Sequence, residues 1–169
     1  MADLFALVYV SIAAHELSMP EIAHLLEGAR RRNAAADVSG VLLYSDGNFM
    51  QCLEGPADGL AQVYDIIRGD PLHYGLIEIV REPVARREFA EWTMAFRVVG
   101  GFGAASAAHQ DEELLQRLAQ CGPQDSPARI VLSNFWNRAR HATAGNLRAL
   151  SREPGPRSAP AVFDSGPEE

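Results

Sequence analysis

Three polar side chains of this sequence are set among apolar residues, where they could bind a ligand. Gln51 falls in mid-strand on the same face as Phe49 and Leu53, so its amide is predicted to be buried. An unpaired buried amide costs roughly 1–3 kcal/mol, so this group needs a hydrogen-bond partner. Tyr9 lies on one face of the first predicted strand, and Asn33 closes the first predicted helix. Together the three residues would surround a slot suited to a planar, mostly apolar ligand with polar edges.

Each of the three residues also has an ordinary structural explanation. A neighbouring backbone group could satisfy the amide of Gln51, and the hydroxyl of Tyr9 could reach solvent from an otherwise apolar core. Asn33 could be a polar C-terminal residue of the kind that ends many helices. The prediction of a binding slot therefore depends on the three residues taken together.

Strand and helix signals alternate along the chain and predict the elements that position these residues. In order they are a strand over residues 4–11, a helix that ends near Asn33, strands over 38–45 and 49–54, a helix over 58–69, and strands over 76–81 and 92–99. The order matches the ferredoxin-like split βαβ pattern with one strand added. We expect an α+β fold, in which a five-stranded mixed sheet carries two helices on one face.

Local signals indicate where several elements begin or turn. Ser18 and Glu21 have the spacing of a capping box, with a proline between them in the first helical turn. Asp46-Gly47 is a dipeptide that tolerates the positive φ angles of a tight hairpin. Asp58 is predicted to cap the second helix.

The first strand is apolar on both faces, so the sheet face opposite the two helices also needs cover. Two further helices are predicted, one over residues 111–121 and one that follows the Ser126-Pro127 cap. We expect both to pack on the free sheet face or on another subunit.

The length of 169 residues suits one globular domain with a short appendage. We assign residues 1–98 to that domain, 99–148 to a helical C-terminal extension and 149–169 to a disordered tail. Four prolines, two glycines and several charges fall within the last nineteen residues, a composition that cannot bury a core.

The formal net charge of -7 and the pI near 5.2 predict a surface that repels phosphate backbones and anionic lipids. The basic run over residues 30–32 closes a predicted helix and is interpreted as a solvated face favoured by the helix dipole. Two distant cysteines, Cys52 and Cys121, indicate neither a disulfide framework nor a zinc site. No run reaches the ~20 apolar residues of a membrane span. We expect a cytoplasmic protein that binds neither nucleic acid nor membrane.

Several stretches of the sequence resemble the BLUF domain, the flavin-dependent blue-light sensor family. They are LVYVS at residues 7–11, RN at 32–33, SGVLLY at 39–44, FMQCLEG at 49–55 and REFAEWTM at 87–94. The resemblance runs in order from about residue 4 to residue 98, which is more than half of the chain.

The resemblance implies a flavin, usually FAD, held between the two helices. By that likeness Asn33 bonds the isoalloxazine carbonyl and ring N–H edge, and Gln51 sits between the flavin and the hydroxyl of Tyr9. Light then drives an electron and a proton out of the phenol. When they return, the glutamine is left rotated or tautomerised, so the signal is an exchange of hydrogen bonds.

The same likeness extends to four further residues. Trp92 and Met94 are predicted to share one strand face, where either can lie near the glutamine and relay the signal to the C-terminal helices, although both could be ordinary core residues. Asp70 and His73 occupy positions that resemble polar contacts to the outer edge or ribityl chain of the flavin. The Asp70-Pro71 pair is equally compatible with simple turn chemistry.

The sequence departs from the family pattern near the flavin. Arg32 stands where relatives often have Asn or His, and Ile66 and Leu72 stand where certain members carry arginines. Arg32 is therefore a candidate substitute in the contacts to the flavin.

No catalytic constellation is predicted, because the five histidines show no ligand spacing and Gly101-Phe102-Gly103 lacks the context of a dinucleotide fingerprint. Two alternatives to the photoreceptor stay open: a ferredoxin-like interaction or small-ligand module, and a flavoprotein that does thermal redox chemistry. As a sensor, the chain is expected to signal to a separate effector protein or through a homo-oligomer. The helix around Phe135 and Trp136 is the predicted surface for both.

Overall fold

The structure is a computed structural model and describes residues 3–98, 116 and 125–150. Within these ranges, five strands and three helices have bounds that can be given: β1 (Leu4–Ala13), α1 (Met19–Ala35), β2 (Ser39–Ser45), β3 (Asn48–Pro56), α2 (Ala57–Gly69), β4 (His73–Val84), β5 (Ala95–Val98) and α3 (Pro127–Leu150). None of the helices in these ranges is long and apolar enough to cross a membrane.

The strands form one mixed sheet in the order β4-β1-β3-β2-β5. Neighbouring strands are antiparallel except for β2 and β5, which run parallel. The register of β1 and β3 places Tyr9 directly opposite Gln51, and Leu42 of β2 stands opposite Gln51 on the other side. The predicted five-stranded α+β sheet is confirmed.

Most local signals act as predicted. Asp46 and Gly47 have φ angles of 46° and 77°, as a two-residue hairpin turn between β2 and β3 requires. The backbone N–H and the hydroxyl of Ser18 both donate to the carboxylate of Glu21 at the start of α1. Ser126 accepts the backbone N–H of Arg129 through its hydroxyl oxygen and so caps α3.

The predicted start of α2 is wrong. The helix begins at Ala57, its N-cap is Pro56 and no side chain caps it, while Asp58 lies within the first turn. The reason is that β3 continues to Pro56, whose φ of -64° leads the chain straight into the helix. Asp58 still places a negative charge where the helix dipole favours one.

Both faces of the sheet are covered. Side chains of alternate residues, including Leu7 and Tyr9, form a core with α1 and α2, whereas Ala6 and Val8 form a second core with α3. Both faces of β1 are apolar because helices cover the sheet on both sides. Of the two predicted C-terminal helices, the second is α3 and packs on the free sheet face, while the first lies almost wholly outside the described residues.

The two helices that share a sheet face meet through a glycine. A Cβ atom at Gly59, in the first turn of α2, would lie 2.2 Å from the carbonyl oxygen of Ala36 at the end of α1. Only a residue without a side chain allows this approach. Gly69, the last residue of α2, has no atom within 4 Å of its Cβ position.

We expect Gly59→Ala to destabilise the protein by roughly 1–3 kcal/mol, because the new methyl group overlaps a backbone carbonyl that cannot rotate away. Gly69→Ala is the matched control in the same helix and should be neutral or stabilising by roughly 0.4–1 kcal/mol. Urea unfolding monitored by circular dichroism measures both. Equal unfolding free energies for the two variants would contradict the close approach of α1 and α2.

Candidate functional site

The centre of the candidate site is a buried hydrogen bond between Tyr9 and Gln51. The Tyr9 hydroxyl donates to the side-chain oxygen of Gln51, and both residues are almost inaccessible to solvent. Burial raises the pKa of the phenol far above its usual 10.0; Tyr64 and Asp70 act in the same direction, and Arg32 opposes them. The phenol therefore keeps its proton at neutral pH and remains a donor.

The amide nitrogen of Gln51 has its own partner. Nε2 donates to the sulfur of Met94 at 3.2 Å, and both side chains are buried. Side chains from two other parts of the chain thus satisfy this glutamine, so the alternative of a backbone partner does not hold. Because a thioether is a weak acceptor, the hydrogen bond from Gln51 to Met94 is weaker than the hydrogen bond from Tyr9 to Gln51.

Asn33 is buried in the last turns of α1 and joins the same segment. Its side-chain amide donates to the carbonyl of Thr93 at 2.6 Å, and Arg30, one turn earlier, donates from Nε to the carbonyl of Met94 at 3.2 Å. The backbone carbonyl of Asn33 also accepts the N–H of Val38. The sequence prediction that Tyr9, Gln51 and Asn33 lie near one another is consistent with this chain of contacts.

A cavity of about 540 Å³ opens between α1 and the connection from α2 to β4. Its size falls within the range typical of small-molecule sites. The lining residues come from one side of α1 and from the loop after α2: Pro20, Glu21, His24, Leu25, Gly28, Arg31, Arg32, Asp70 and Leu72. Two of the residues predicted to contact the flavin, Arg32 and Asp70, thus line one cavity.

Arg32 lines this cavity and carries a buried hydrogen-bond donor. Its Nε is inaccessible to solvent and has no hydrogen-bond partner among the described residues. A Cβ atom at Gly28 would lie 3.1 Å from Nη1 of Arg32, so the glycine leaves room for the guanidinium. A buried unsatisfied N–H is costly, and a ligand acceptor in the cavity would remove that cost.

His73 lies apart from the lining of that cavity. Its Nδ1 is 2.9 Å from the hydroxyl of Ser11, and its ring packs on Phe49 with centroids 4.7 Å apart. Burial lowers the pKa of this imidazole, Arg32 acts in the same direction and Asp70 opposes. His73 is therefore held in its neutral form on the sheet face that carries Tyr9.

The prediction that Trp92 and Met94 share a strand face is wrong. Met94 belongs to the core under α1 and α2, whereas Trp92 packs against the core under α3, with its ring 6.2 Å from that of Phe89. The reason is that β5 begins only at Ala95, so the alternation of a strand does not apply to the two residues before it. Met94, not Trp92, contacts Gln51.

One polar residue of this region was not identified from the sequence. Glu54 is 3% exposed, and its two carboxylate oxygens accept the backbone N–H groups of Glu88 at 3.1 Å and Phe89 at 2.8 Å. Burial raises the pKa of Glu54, although the two N–H groups oppose that effect. The available signal was a carboxylate three residues after Gln51 in an otherwise apolar strand.

Comparisons with known proteins agree on one family. The family described as "BLUF: Sensors of blue-light using FAD" matches residues 4–95, which is more than half of the chain. The beta subunit of photoactivated adenylate cyclase from Euglena longa is 38% identical over 94 residues, which are 55% of this chain and 11% of that protein.

A second relative is the blue light- and temperature-regulated antirepressor BluF of Escherichia coli (strain K12). It is 33% identical over 88 residues, which are 52% of this chain and 22% of that protein. The chain thus spans less than a quarter of the length of either relative. Among solved structures, the dark state of the BLUF protein BlrB aligns with 90% of this chain and with 99% of the BlrB chain. The TM-score is 0.56 and the sequence identity is 24%, so the two proteins share a fold.

The matched residues contain β1, α1, β2, β3, α2 and β4, together with every polar group around Gln51 described above. This chain belongs to the BLUF family of blue-light sensors that use FAD.

Proposed function

We propose that this chain is a blue-light photoreceptor, in which Tyr9 and Gln51 respond to the excitation of a flavin held between α1 and α2. The buried hydrogen bond from Tyr9 to Gln51 is the observation that carries the proposal. It links an oxidisable phenol to an amide that can change its partners, and both groups are shielded from water. Family membership supplies the cofactor class, since these sensors use FAD.

The residues present fit such a cofactor. The cavity beside α1 has the volume of a small-molecule site, and the buried Nε of Arg32 needs an acceptor, which carbonyl or phosphate oxygens of a flavin nucleotide can provide. We assign Arg32 and Asp70 to the wall of the cavity, and Asn33 and Gln51 to contacts with the isoalloxazine ring of the flavin. We assign His73 to a contact farther from that ring. A neutral imidazole and a half-buried carboxylate suit hydroxyl groups of a ribityl chain.

A bound flavin supplies absorption of blue light and an excited state that accepts one electron. Tyr9 would be the donor of that electron, and its hydrogen bond to the oxygen of Gln51 would be the path along which the phenolic proton leaves and returns. Because the phenol would be restored, the lasting change would be at Gln51, whose amide would give up its bond to Met94 for another partner.

We propose a sensor without catalytic activity of its own within residues 1–98, followed by a helical extension over 99–148 and a tail over 149–169. The relatives support an output outside the sensory unit, since a cyclase and an antirepressor carry the same domain as 22% or less of their length. We therefore infer a separate effector protein, a homo-oligomer or both as the output in the cytoplasm. Trp136 is buried and Phe135 is partly buried in the core that α3 forms with the sheet, so the proposed contact surface is the side of α3 that faces away from the sheet and not these two residues.

Gln51→Leu should keep the flavin but lose the reversible red shift of its absorption, because leucine can neither accept from Tyr9 nor donate to Met94. The measurement is the visible spectrum of the purified protein before and directly after blue illumination. Gln62→Leu, which changes an exposed glutamine of α2, is the matched control and should behave as the wild type.

Three results would contradict the photoreceptor. A red shift that persists in Gln51→Leu would remove Gln51 from the mechanism. A flavin that bleaches and reacts rapidly with a reduced nicotinamide in the dark would indicate thermal redox chemistry. A colourless protein after reconstitution with FAD would leave a ferredoxin-like binding module.

Tyr9→Phe should also abolish the red shift, because the electron donor and the proton of the central hydrogen bond are removed together. The variant should lose roughly 1–3 kcal/mol of stability, because the buried oxygen of Gln51 is left without its donor. Tyr74→Phe is the matched control, since Tyr74 is 54% exposed on β4. Wild-type photochemistry in Tyr9→Phe would show that another residue supplies the electron.

A further inference from the structure

A short segment between β4 and β5 touches both faces of the sheet. On one face Phe89 is fully buried beside Trp92 in the core under α3. On the other face Thr93 and Met94 bond Asn33 and Gln51. Residues 88–94 therefore contact the photoactive glutamine at one end and the C-terminal helix at the other.

The start of this segment is held by Glu54. Its carboxylate takes two consecutive backbone N–H groups, those of Glu88 and Phe89, with one oxygen for each. The residue is 3% exposed; burial raises the pKa of its carboxyl, and these two donors oppose that shift. The side chain of Glu88 pairs with Arg129 of α3 at 2.9 Å.

Hydrogen bonds of the backbone link the position of Phe89 to that of Met94. The carbonyl of Phe89 accepts the N–H of Trp92 at 3.1 Å, and the carbonyl of Trp92 accepts the N–H of Gly40 from β2 at 2.9 Å. The carbonyl of Thr93 accepts from the side chain of Asn33, and the carbonyl of Met94 accepts from the side chain of Arg30. Every residue from Trp92 to Met94 thus has its carbonyl fixed, and the sulfur of Met94 reaches Gln51 as a result.

We propose that Glu54 is a positioning residue for the photocycle: by anchoring Glu88 and Phe89 it holds Met94 as the hydrogen-bond acceptor of Gln51 and so controls the rate of return to the dark state. This inference rests on the proposed photoreceptor function. Glu54 touches neither the cavity nor Gln51 and acts only through the segment. An ionisable side chain is costly to bury, and this anchoring gives that cost a functional reason.

Glu54→Gln tests the proposal with little change of shape. An amide offers one acceptor oxygen and one NH₂ group to two N–H donors, so one of the two anchoring bonds is lost. The sulfur of Met94 is then held less firmly, so the dark-state bond that Gln51 must regain is weaker. Dark recovery after a blue flash should be slower by about fivefold, the factor that about 1 kcal/mol of lost hydrogen bonding produces.

The double variant Glu54→Gln/Met94→Ala separates positioning from general stability. If Glu54 acts through Met94, Glu54→Gln should change recovery by less than about twofold once Met94 is alanine. A merely structural role would change recovery by the same factor in both backgrounds. Glu82→Gln is the matched control, because Glu82 also accepts a backbone N–H, that of Ala128, but does not touch the segment. It should recover at the wild-type rate.

Amide hydrogen exchange on the wild-type protein provides a test that needs no folded variant. The N–H of Phe89 should exchange only through global unfolding, as slowly as the amides of β1 and β3. Fast exchange of Phe89 through local opening, or unchanged recovery in a folded Glu54→Gln, would overturn the anchoring role. A wild type without any reversible red shift would count against the photoreceptor itself, so the two failures are distinguishable.

Discussion

A buried primary amide must satisfy its donors and its acceptor inside the protein, and at Gln51 this requirement determines the arrangement of three elements. Tyr9 of β1 meets the oxygen, and Met94 of the segment before β5 meets the nitrogen. Neither bond involves a strong ion pair, so the amide can exchange partners at modest cost. A polar network that is complete yet weak at one end is suited to a switch.

The sheet confines this network to one of its two faces. Because β1 and β3 carry apolar side chains on both faces, one face receives α1 and α2 and carries the bonded side chains of Tyr9 and Gln51, and the other receives α3. Residues 88–94 pass between the two cores, which places Trp92 and Met94 on opposite sides. The same segment thus contacts Gln51 through Met94 and packs against the core under α3 through Trp92.

The cavity beside α1 shows how this chain departs from its family. The resemblance predicted Asn or His where Arg32 stands, and the structure gives Arg32 a buried N–H without a partner among the described residues and a facing glycine that makes room for it. Arg32 thus places a positive charge beside this cavity, although the chain as a whole carries a net charge of -7.

Local sequence patterns located most of the elements, although not every boundary, because capping boxes, turn dipeptides and apolar periodicity act over a few residues. The need of Gln51 for a partner, the double-sided burial of β1 and the family itself were all readable from the chain. Which groups meet was decided by the tertiary structure: strand register sets Tyr9 opposite Gln51, and the irregular backbone before Ala95 sends Trp92 and Met94 to different faces. Glu54 could not be recognised as an anchor, because its partners are backbone N–H groups of residues 34 and 35 positions away, which carry no side-chain signature.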